Sequence, residues 1–360
     1  MARNSIGKNL VLTSFGESHG AGIGAVLDGF PAQFSIDFES LNRQMARRRP
    51  GQSPLTTTRS ESDEVQFLSG VFEGQTTGAP LALFIANNEQ KSSDYDHLAD
   101  VFRPGHADLM YQAKYGIRDH RGGGRSSARI TAAWVAAGSL ALQWLEKQDI
   151  FIRAWVHQIH GCTMNDVQYM PSLPDIEASA TRCPDSLVAE NMIKAIEQAK
   201  ADGDSLGGII AFRVEGLPMG IGEPVFGKIQ GELGLYLLNI NATTGLEFGD
   251  GFQAAHLRGS EHNDAWIPHD KQLATSHSNH SGGSIGGISN TMPLTGKLAF
   301  KPVSSIQKEQ NSIDKQGLPV SLQVNGRHDP CVVPRAVPIV ESMLALCLMD
   351  LVLEHNTYKS

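Results

Sequence analysis

The segment from Arg118 to Arg129 has the residue types and spacing best suited to chemistry in this chain. It holds three consecutive glycines followed by Arg125, Ser126 and Ser127, at the predicted start of a long alanine-rich helix. The first N–H groups of a helix lack partners within the helix and bind anions, and arginine adds paired hydrogen bonds to phosphate. A plain serine N-cap with solvated arginines is the alternative, but a run of three glycines is costly in a purely structural turn. We therefore expect an anion-binding site here.

Two histidines lie in glycine-flanked turns rather than on helix faces. His19 is preceded by Gly16 and followed by Gly20, and His106 comes shortly after Arg103. Histidine suits general acid catalysis because its pKa lies near neutrality. A structural or surface role is the alternative for each. Both remain candidate proton donors.

Three further polar segments could contact an anion. The arginine run 47–49 follows a helix that Asp37 is expected to cap, Arg327 and Asp329 share a turn, and Lys301 to Ser305 forms a loop after a predicted strand. Favourable charge at a helix C-terminus explains the first equally well, and ordinary turn geometry explains the second. A phosphate contact remains open for all three.

The charge distribution favours a pocket for a small anionic ligand. The net charge of −8 argues against general nucleic-acid binding. Residues 43–129 nevertheless hold 12 Lys and Arg against 10 Asp and Glu, including 10 of the 17 arginines. A solvated arginine-rich surface is the alternative. No dinucleotide or P-loop glycine motif is present, and His277 and His280 lack a third spaced ligand, so no metal site is predicted.

The order of predicted elements indicates an α+β fold, because strand pairs alternate irregularly with helices. Helices are expected after Asp37 and over residues 107–115, 126–147, 187–200, 226–238 and 338–354. Strands are expected over residues 10–12, 23–27, 65–72, 81–86, 150–156, 208–214, 294–300 and 318–324. Residues 259–287 read as a long polar loop, a feature that is usually functional or mobile.

Chain length bears on the number of cores, while the apolar runs, the N-terminus and the cysteines together suggest a cytoplasmic protein. The 360 residues exceed the roughly 250–300 residues of a usual single core, so one large core or two intertwined cores are expected. No apolar run is expected to approach the roughly 18 residues of a membrane-spanning helix, the longest candidate being Ala132 to Leu142. The N-terminus lacks the apolar core of a signal peptide, and the four cysteines form no CxxC pair.

Several of these segments together resemble the chorismate synthase family. The N-terminal family signature is similar to residues 16–31, the central one to residues 122–129, and the C-terminal one to residues 327–341. Long, unrelated signatures occur in the right order, so the chain is identified as a member of the family. Shorter stretches that also fit are residues 47–51, 102–106, 241–242 and 249–252.

The resemblance implies a layered β-α-β sandwich, with central helices between antiparallel sheets. It implies a single domain over residues 1–360, which could comprise two intertwined α/β halves, with 259–287 as a mobile active-site loop region. The implied activity is a lyase reaction that converts 5-enolpyruvylshikimate 3-phosphate into chorismate and phosphate. This anti-1,4-elimination uses reduced FMN without net redox change. The implied enzyme is a cytoplasmic homotetramer of aromatic amino acid biosynthesis.

Specific residues receive roles through the same resemblance. His19 would protonate the departing phosphate, His106 would supply a proton to the reduced flavin, and Asp329 would assist deprotonation at flavin N5. The implied substrate-binding residues are Arg48, Arg49, Arg103 and Arg327. The implied FMN-binding residues are Arg125, Ser126, Ser127, Asn241, Ala242, Gly286, Lys301, Pro302, Val303, Ser304, Ser305 and Arg327.

Two departures from the family pattern affect these roles. Pro54 stands where many bacterial members carry arginine, so one anion contact is either absent or supplied by Arg59. Val303 replaces the family's threonine, so a backbone contact is expected there instead of a hydroxyl contact. NADPH could serve as flavin reductant, but no added domain or nucleotide motif is seen, which favours an external flavin reductase.

Two other classes of protein use similar residues. A cofactor-free lyase or phosphatase acting on a small phosphorylated carboxylate would need the same arginines but no FMN. A nucleic-acid-binding module could use the arginine-rich window, but the net charge and the lack of interleaved aromatic residues argue against it.

Overall fold

The structure is a computed structural model that describes residues 3–51, 62–87, 98–269, 274–323 and 329–358. Its helices, in chain order, are α1 (Phe38–Arg48), α2 (Asp108–Tyr115), α3 (Thr131–Glu146), α4 (Leu173–Glu177), α5 (Ser186–Ala201), α6 (Ile229–Leu237), α7 (Gly259–His262) and α8 (Val333–Thr357). Short 3₁₀ turns span Gly124–Ser126, Ala128–Ile130 and Gly251–His256. The strands are β1 (Ser5–Ile6), β2 (Val11–Gly16), β3 (Gly22–Asp28), β4 (Gln66–Ser69), β5 (Val71–Phe72), β6 (Gln75–Thr76), β7 (Leu81–Ala86), β8 (Phe151–Ile159), β9 (Cys162–Thr163), β10 (Gly208–Glu215), β11 (Thr243–Phe248), β12 (Trp266–Ile267), β13 (Thr275–Ser276), β14 (Ser284–Ile285), β15 (Ile288–Ser289), β16 (Leu294–Phe300), β17 (Glu309–Ile313) and β18 (Pro319–Gln323).

Two five-stranded antiparallel sheets form the outer layers. The first has the strand order β1-β2-β3-β7-β4, and the second has the order β11-β16-β10-β8-β9. In β7, Leu81, Leu83 and Ile85 are fully buried while the residues between them are partly exposed. This period-two pattern turns one face of the sheet toward the core and the other outward.

The central layer is built on α3 and α8, which pack against each other. On its other sides α3 contacts β3 and β7 of the first sheet, and α8 contacts β8 and β10 of the second. The two helices approach closely at Gly138, where an added Cβ would stand 2.3 Å from the Cβ of Ser342. The predicted α+β fold, with helices between antiparallel sheets, is confirmed.

Local capping explains why three predicted helices agree with the structure. Asp37 accepts a hydrogen bond from the Ser40 N–H at 2.9 Å and starts α1. Asp185 accepts one from the Val188 N–H at 3.0 Å and starts α5. Gly116 ends α2 with a φ of 72°, a conformation that glycine adopts readily.

The predicted start of the long central helix at Ser126 is wrong, because α3 begins at Thr131. Two 3₁₀ turns come first, and the Ser127 hydroxyl caps the second by accepting the Arg129 N–H at 3.2 Å. Glycines on the N-terminal side allow this tighter winding, since Gly122 and Gly124 both have positive φ. Residues 122–130 therefore form an irregular segment with two short turns before α3, and this segment is called the ledge.

The final helix begins at Val333, so its predicted start near Pro338 is also wrong. Pro338 lies inside α8 and lacks the N–H that would bond the carbonyl of Pro334. That carbonyl instead accepts a hydrogen bond from Arg182 Nη1 at 2.5 Å. A side chain from another part of the fold thus satisfies the gap that proline leaves in the helix.

The expectation that no apolar run approaches membrane-spanning length is wrong for α8. Among the described helices, α8 alone is long and apolar enough for that by length and composition. Nearly all of its most apolar part is buried within the fold, which is also the environment of an ordinary core helix.

Candidate active site

A cavity of about 460 Å³ lies where the ends of several elements meet. Its walls come from the C-terminal end of α1, the turn before α2, the ledge before α3, the turn between α6 and β11, the loop after β16 and the start of α8. Lining side chains among the described residues include Arg48, Arg103, His106, Asp108, Ser126, Ser127, Arg129, Asn241, Ala242, Lys301, Pro302, Val303, Ser304, Ser305, Asp329 and Arg335.

Positive charge dominates this lining. Arg48, Arg103, Arg129, Lys301 and Arg335 face two carboxylates, Asp108 and Asp329. The cationic side chains repel one another, and an anion bound among them would reduce this repulsion. The excess of positive charge in the lining therefore indicates an anionic ligand.

Arg103 is held rigidly by Asp108. Its Nε and Nη2 donate to the two carboxylate oxygens at 2.8 and 2.9 Å, and both residues are buried. Burial alone raises the pKa of Asp108, but the hydrogen bonds and charge of Arg103 bring it below its ordinary value. The pair therefore stays ionised, and the guanidinium keeps a fixed orientation at the cavity wall.

His106 is fixed at both ring nitrogens. Nδ1 lies 3.0 Å from the Pro104 carbonyl oxygen, and Nε2 lies 2.8 Å from the Ser305 hydroxyl. Burial, followed by the charge of Arg103, lowers the pKa of His106 below its ordinary value. The imidazole is therefore neutral at pH 7 before an anion arrives.

The loop after β16 forms the opposite wall. Lys301 Nζ donates to the Gly105 carbonyl and to Ser304 Oγ, both at 3.2 Å, and Ser304 itself donates to the Gly105 carbonyl at 2.9 Å. Gly105 has a φ of 68°, and an added Cβ would meet Ser304 Oγ at 2.5 Å. Only glycine fits this close approach, which joins the histidine turn to the basic loop.

Asn241 and Ala242 complete the cavity beside the serines. Asn241 Nδ2 donates to the Ser126 carbonyl at 2.8 Å, and the Ala242 carbonyl accepts the Lys301 N–H at 2.9 Å. Asn241 Oδ1 is buried and has no hydrogen-bond partner among the described residues. A buried acceptor without a partner is costly, so this oxygen is suited to a ligand N–H.

Asp329 lies at the entrance to α8, where it is buried and hydrogen-bonded to Arg335. The Leu206 N–H donates to the Pro330 carbonyl at 2.8 Å and ties this segment to the rest of the fold. Arg335 Nε donates to the Arg48 carbonyl at 3.2 Å. Asp329 thus joins the cationic wall and the start of α8.

His19 lies one layer behind the cavity. Its Nδ1 is 3.1 Å from Ser18 Oγ, and an added Cβ on Gly122 would meet the same nitrogen at 2.3 Å. Gly122 precedes Gly123, which lines the cavity. Of the two predicted histidines, His106 lines the cavity, while His19 lies against Gly122 and outside the described lining.

Besides His19, four predicted site residues are not among the described lining residues. Arg49 is exposed just after α1, and Gly286 is exposed in the β14–β15 hairpin. Arg125 donates instead to the carbonyl oxygens of Ser14 and Gly16, each at 3.0 Å. Arg327 lies outside the described residues, as do Pro54 and Arg59.

The long polar region also differs from its prediction. The described part of 259–287 contains α7, β12, β13 and β14, and none of it lines the cavity. Its mobility and its closure over the site stay predictions.

Besides Asp108, the partner of Arg103, sequence reasoning gave no role to three charged residues that the structure brings to the site. Arg129 and Arg335 line the cavity, and Asp63 bridges Arg48 and Arg129 from behind. Both arginines lie within the family signatures, at residues 122–129 and 327–341, so their charge and position could have identified them as candidate anion contacts. Asp63 gives no such signal, because only the fold places it between two arginines.

Comparisons with known proteins agree with this architecture. The sequence model described as "Chorismate synthase" matches residues 10–353. A protein of Christiangramia forsetii named chorismate synthase is 49% identical over 359 residues, covering all of both chains. One of Parabacteroides distasonis with the same name is 49% identical and covers 98% of this chain and 99% of that one. A solved crystal structure of chorismate synthase has 30% identity, a TM-score of 0.77, and coverage of 97% of this chain and 93% of its own. The chain therefore belongs to the chorismate synthase family of carbon–oxygen lyases, which act in aromatic amino acid biosynthesis.

Proposed function

We propose that the protein converts 5-enolpyruvylshikimate 3-phosphate into chorismate and phosphate, with reduced FMN bound in the same cavity. The observation that carries the proposal is the set of five cationic side chains around His106. The substrate has two carboxylates and one phosphate, and arginine pairs with both groups through two parallel hydrogen bonds.

The reaction balances without an external oxidant. The C–O bond to the phosphate breaks, one C–H bond at C6 breaks, and a new double bond forms in the ring. When bound, reduced FMN supplies transient electron density to the substrate and accepts the C6 hydrogen. The arginines stabilise charge on the departing phosphate, an effect that is strong where preformed charges are held in place.

Proton transfer falls to three side chains in this proposal. His19 would protonate the departing phosphate, His106 would supply a proton to a bound flavin, and Asp329 would act as a proton acceptor for it. His106 is neutral in the unliganded cavity, and a nearby anion favours its protonated form. Binding of anionic ligands would therefore favour the protonated form of His106, which takes its proton from solvent and can then donate it.

The residues present fit an FMN molecule. The orphaned Asn241 Oδ1 is suited to a flavin N–H, and Lys301 together with Ser304 and Ser305 provides a cation and hydroxyls for polar groups of the cofactor. Asn241, Ala242, Pro302 and Val303 would contact the flavin through side chain or backbone. Arg125 and Gly286 remain proposed FMN contacts outside this lining, and Arg49 remains a proposed substrate contact outside it. Arg327, which lies outside the described residues, remains a proposed contact of both substrate and FMN.

The proposal also covers the oligomeric state of the protein and the source of its reduced FMN. We expect a homotetramer located in the cytoplasm. Large apolar side chains such as Phe226, Phe252 and Trp266 are exposed in a single chain, which supports association with further copies. An external flavin reductase would provide reduced FMN. Sedimentation velocity would reveal the tetramer, and a monomer at micromolar concentration would contradict it.

Two experiments test this function. FMN should bind more tightly in the presence of the substrate, because the two share one cavity; equal affinities in calorimetric titrations would exclude the shared site. Phosphate release from the substrate should also require reduced FMN. Release at the same rate without FMN would instead identify a cofactor-free lyase or phosphatase.

A further inference from the structure

Asp63 is a fully buried carboxylate that the proposed reaction does not use. Its side chain has no exposed surface, and it does not line the cavity. The residue has a φ of 47°, a left-handed conformation that costs a non-glycine residue energy. A strained, buried, charged residue next to a binding cavity calls for a physical explanation.

Each oxygen of Asp63 serves a different arginine of the cavity wall. Oδ2 accepts a hydrogen bond from Arg48 Nη1 at 3.0 Å, and Oδ1 accepts one from Arg129 Nη1. These arginines come from distant places, the end of α1 and the ledge before α3. One carboxylate thereby sets the spacing between two guanidinium groups that face the same cavity.

Backbone carbonyls fix the remaining freedom of both arginines. Arg48 Nη2 donates to the Ala128 carbonyl at 2.9 Å, and Arg129 Nη2 donates to the Ala86 carbonyl at 3.3 Å. Arg129 Nε also donates to Asn87 Oδ1 at 3.0 Å. Among the described contacts of these two arginines, Asp63 supplies the negative charge, and it offsets the repulsion between the two cations.

We propose that Asp63 is a positioning residue, which holds Arg48 and Arg129 at the spacing needed to grip one anionic group of the substrate. This rests on the proposed function for the identity of that substrate, but the geometry applies to any carboxylate or phosphate in the cavity. Side chains that are already held in the binding geometry bind a ligand more tightly, because they lose little conformational entropy on binding.

A simple charge effect makes the opposite prediction. Asp63→Asn raises the positive charge behind the cavity, which by itself would strengthen anion binding. The asparagine amide also points N–H donors at a guanidinium that has only donors. Positioning therefore predicts weaker binding in the variant, and electrostatics alone predicts tighter binding.

A matched control separates positioning from stability. Asp350 is also buried, and it accepts the N–H groups of Lys8, Asn9 and Leu10 at 3.0, 2.7 and 2.8 Å, far from the cavity lining. Asp350→Asn should lower the melting temperature while leaving the substrate KM unchanged. Asp63→Glu keeps the charge and should have a KM between those of wild type and Asp63→Asn.

The test measures kcat and KM with the substrate and saturating reduced FMN for these variants. Asp63→Asn should raise KM by about tenfold or more with kcat within about threefold, the pattern of lost binding that ground state and transition state share. A KM that is unchanged or lowered, with kcat falling only in proportion to folded protein, would overturn the proposal. If Asp63→Asn does not fold, a raised KM of Asp63→Glu with kcat within about threefold supports the proposal, and an unchanged KM of Asp63→Glu overturns it.

A second readout does not depend on turnover. Inorganic phosphate should raise the melting temperature of wild type and of Asp350→Asn, because a ligand of the native state stabilises it. Asp63→Asn should lose most of this shift, and an equal shift would overturn the proposal. If wild type shows the shift but no turnover, the proposed function fails while the role of Asp63 stands.

Discussion

His106 Nε2 lies 2.8 Å from Ser305 Oγ, while Nδ1 of the same ring faces the Pro104 carbonyl at 3.0 Å. A carbonyl oxygen can only accept, so Nδ1 carries the proton, and Nε2 of the neutral ring accepts from the serine hydroxyl. The fold thus holds this histidine in a defined tautomer with its basic nitrogen toward the loop after β16.

The lowered pKa of His106 has a consequence for stability. The unfolded chain takes up a proton near pH 6.5, while the folded chain resists protonation until lower pH. Wild type should therefore lose unfolding free energy relative to His106→Asn as the pH falls below about 6.5. Denaturant titrations of both proteins at pH 8 and pH 5.5 measure this, and a relative gain by wild type at pH 5.5 would contradict the assignment.

Both histidines should matter for turnover but little for folding. His19→Ala and His106→Ala should each lower kcat by roughly 10²–10⁴-fold, the usual contribution of a positioned acid or base. Both residues lie on turns, so circular dichroism should remain that of wild type. Near-normal turnover under saturating reduced FMN would remove that histidine from the mechanism.

Gly122 should be essential for the position of His19. Its φ of 129° is a conformation open mainly to glycine, and an added Cβ would stand 2.3 Å from His19 Nδ1. Gly122→Ala should therefore reduce turnover strongly. Gly124→Ala is the control, because φ is also positive there but no atom lies within 4 Å of the added Cβ. Equal activities of the two variants would argue against a catalytic role for His19.

Asp329→Asn should impair turnover more than binding. The variant keeps the shape of the side chain and a hydrogen-bond acceptor for Arg335 but removes the proton acceptor. Substrate and FMN affinities should stay within about threefold of wild type, a change of less than ~1.4 kcal/mol. Single-turnover phosphate release should be much slower. A lowered melting temperature with activity falling only in proportion would assign Asp329 a structural role instead.

Arg47 should behave as a structural residue despite its place in the arginine run. It is buried and hydrogen-bonds to Glu341 and to Glu177, away from the cavity lining. Glu341→Ala leaves this cation without its buried partner, which should cost about 3–5 kcal/mol of unfolding free energy. The substrate KM of the folded fraction should not change. Altered KM without loss of stability would place Arg47 in the site.

The sequence predicted those parts of the fold that depend on local signals. Asp37 and Gly116 mark helix ends through their own capping chemistry, so these boundaries could be found without knowing the fold. The start of α8 could not, because the helix continues through Pro338 only where Arg182 satisfies the Pro334 carbonyl. A contact between residues so far apart in sequence leaves no local pattern.

The same distinction applies to the candidate site. His106, Lys301 and Asn241 stand in recognisable motifs, and the structure brings them to one cavity. Residue type alone did not separate the arginines of the run 47–49. The resemblance assigned Arg48 and Arg49 to the substrate, and of the three only Arg48 lines the cavity. Helix geometry sends neighbouring side chains in different directions, so the direction of each depends on what α1 packs against.

Anaerobic turnover with a limiting amount of photoreduced FMN tests the central claim most directly. Chorismate and inorganic phosphate are measured in the same sample, with 5-enolpyruvylshikimate 3-phosphate in large excess over FMN and with NADPH either present or omitted. Chorismate and phosphate should form in equal amounts, in large excess over FMN, without any requirement for NADPH. Phosphate without chorismate, or product limited to one equivalent of FMN, would contradict it.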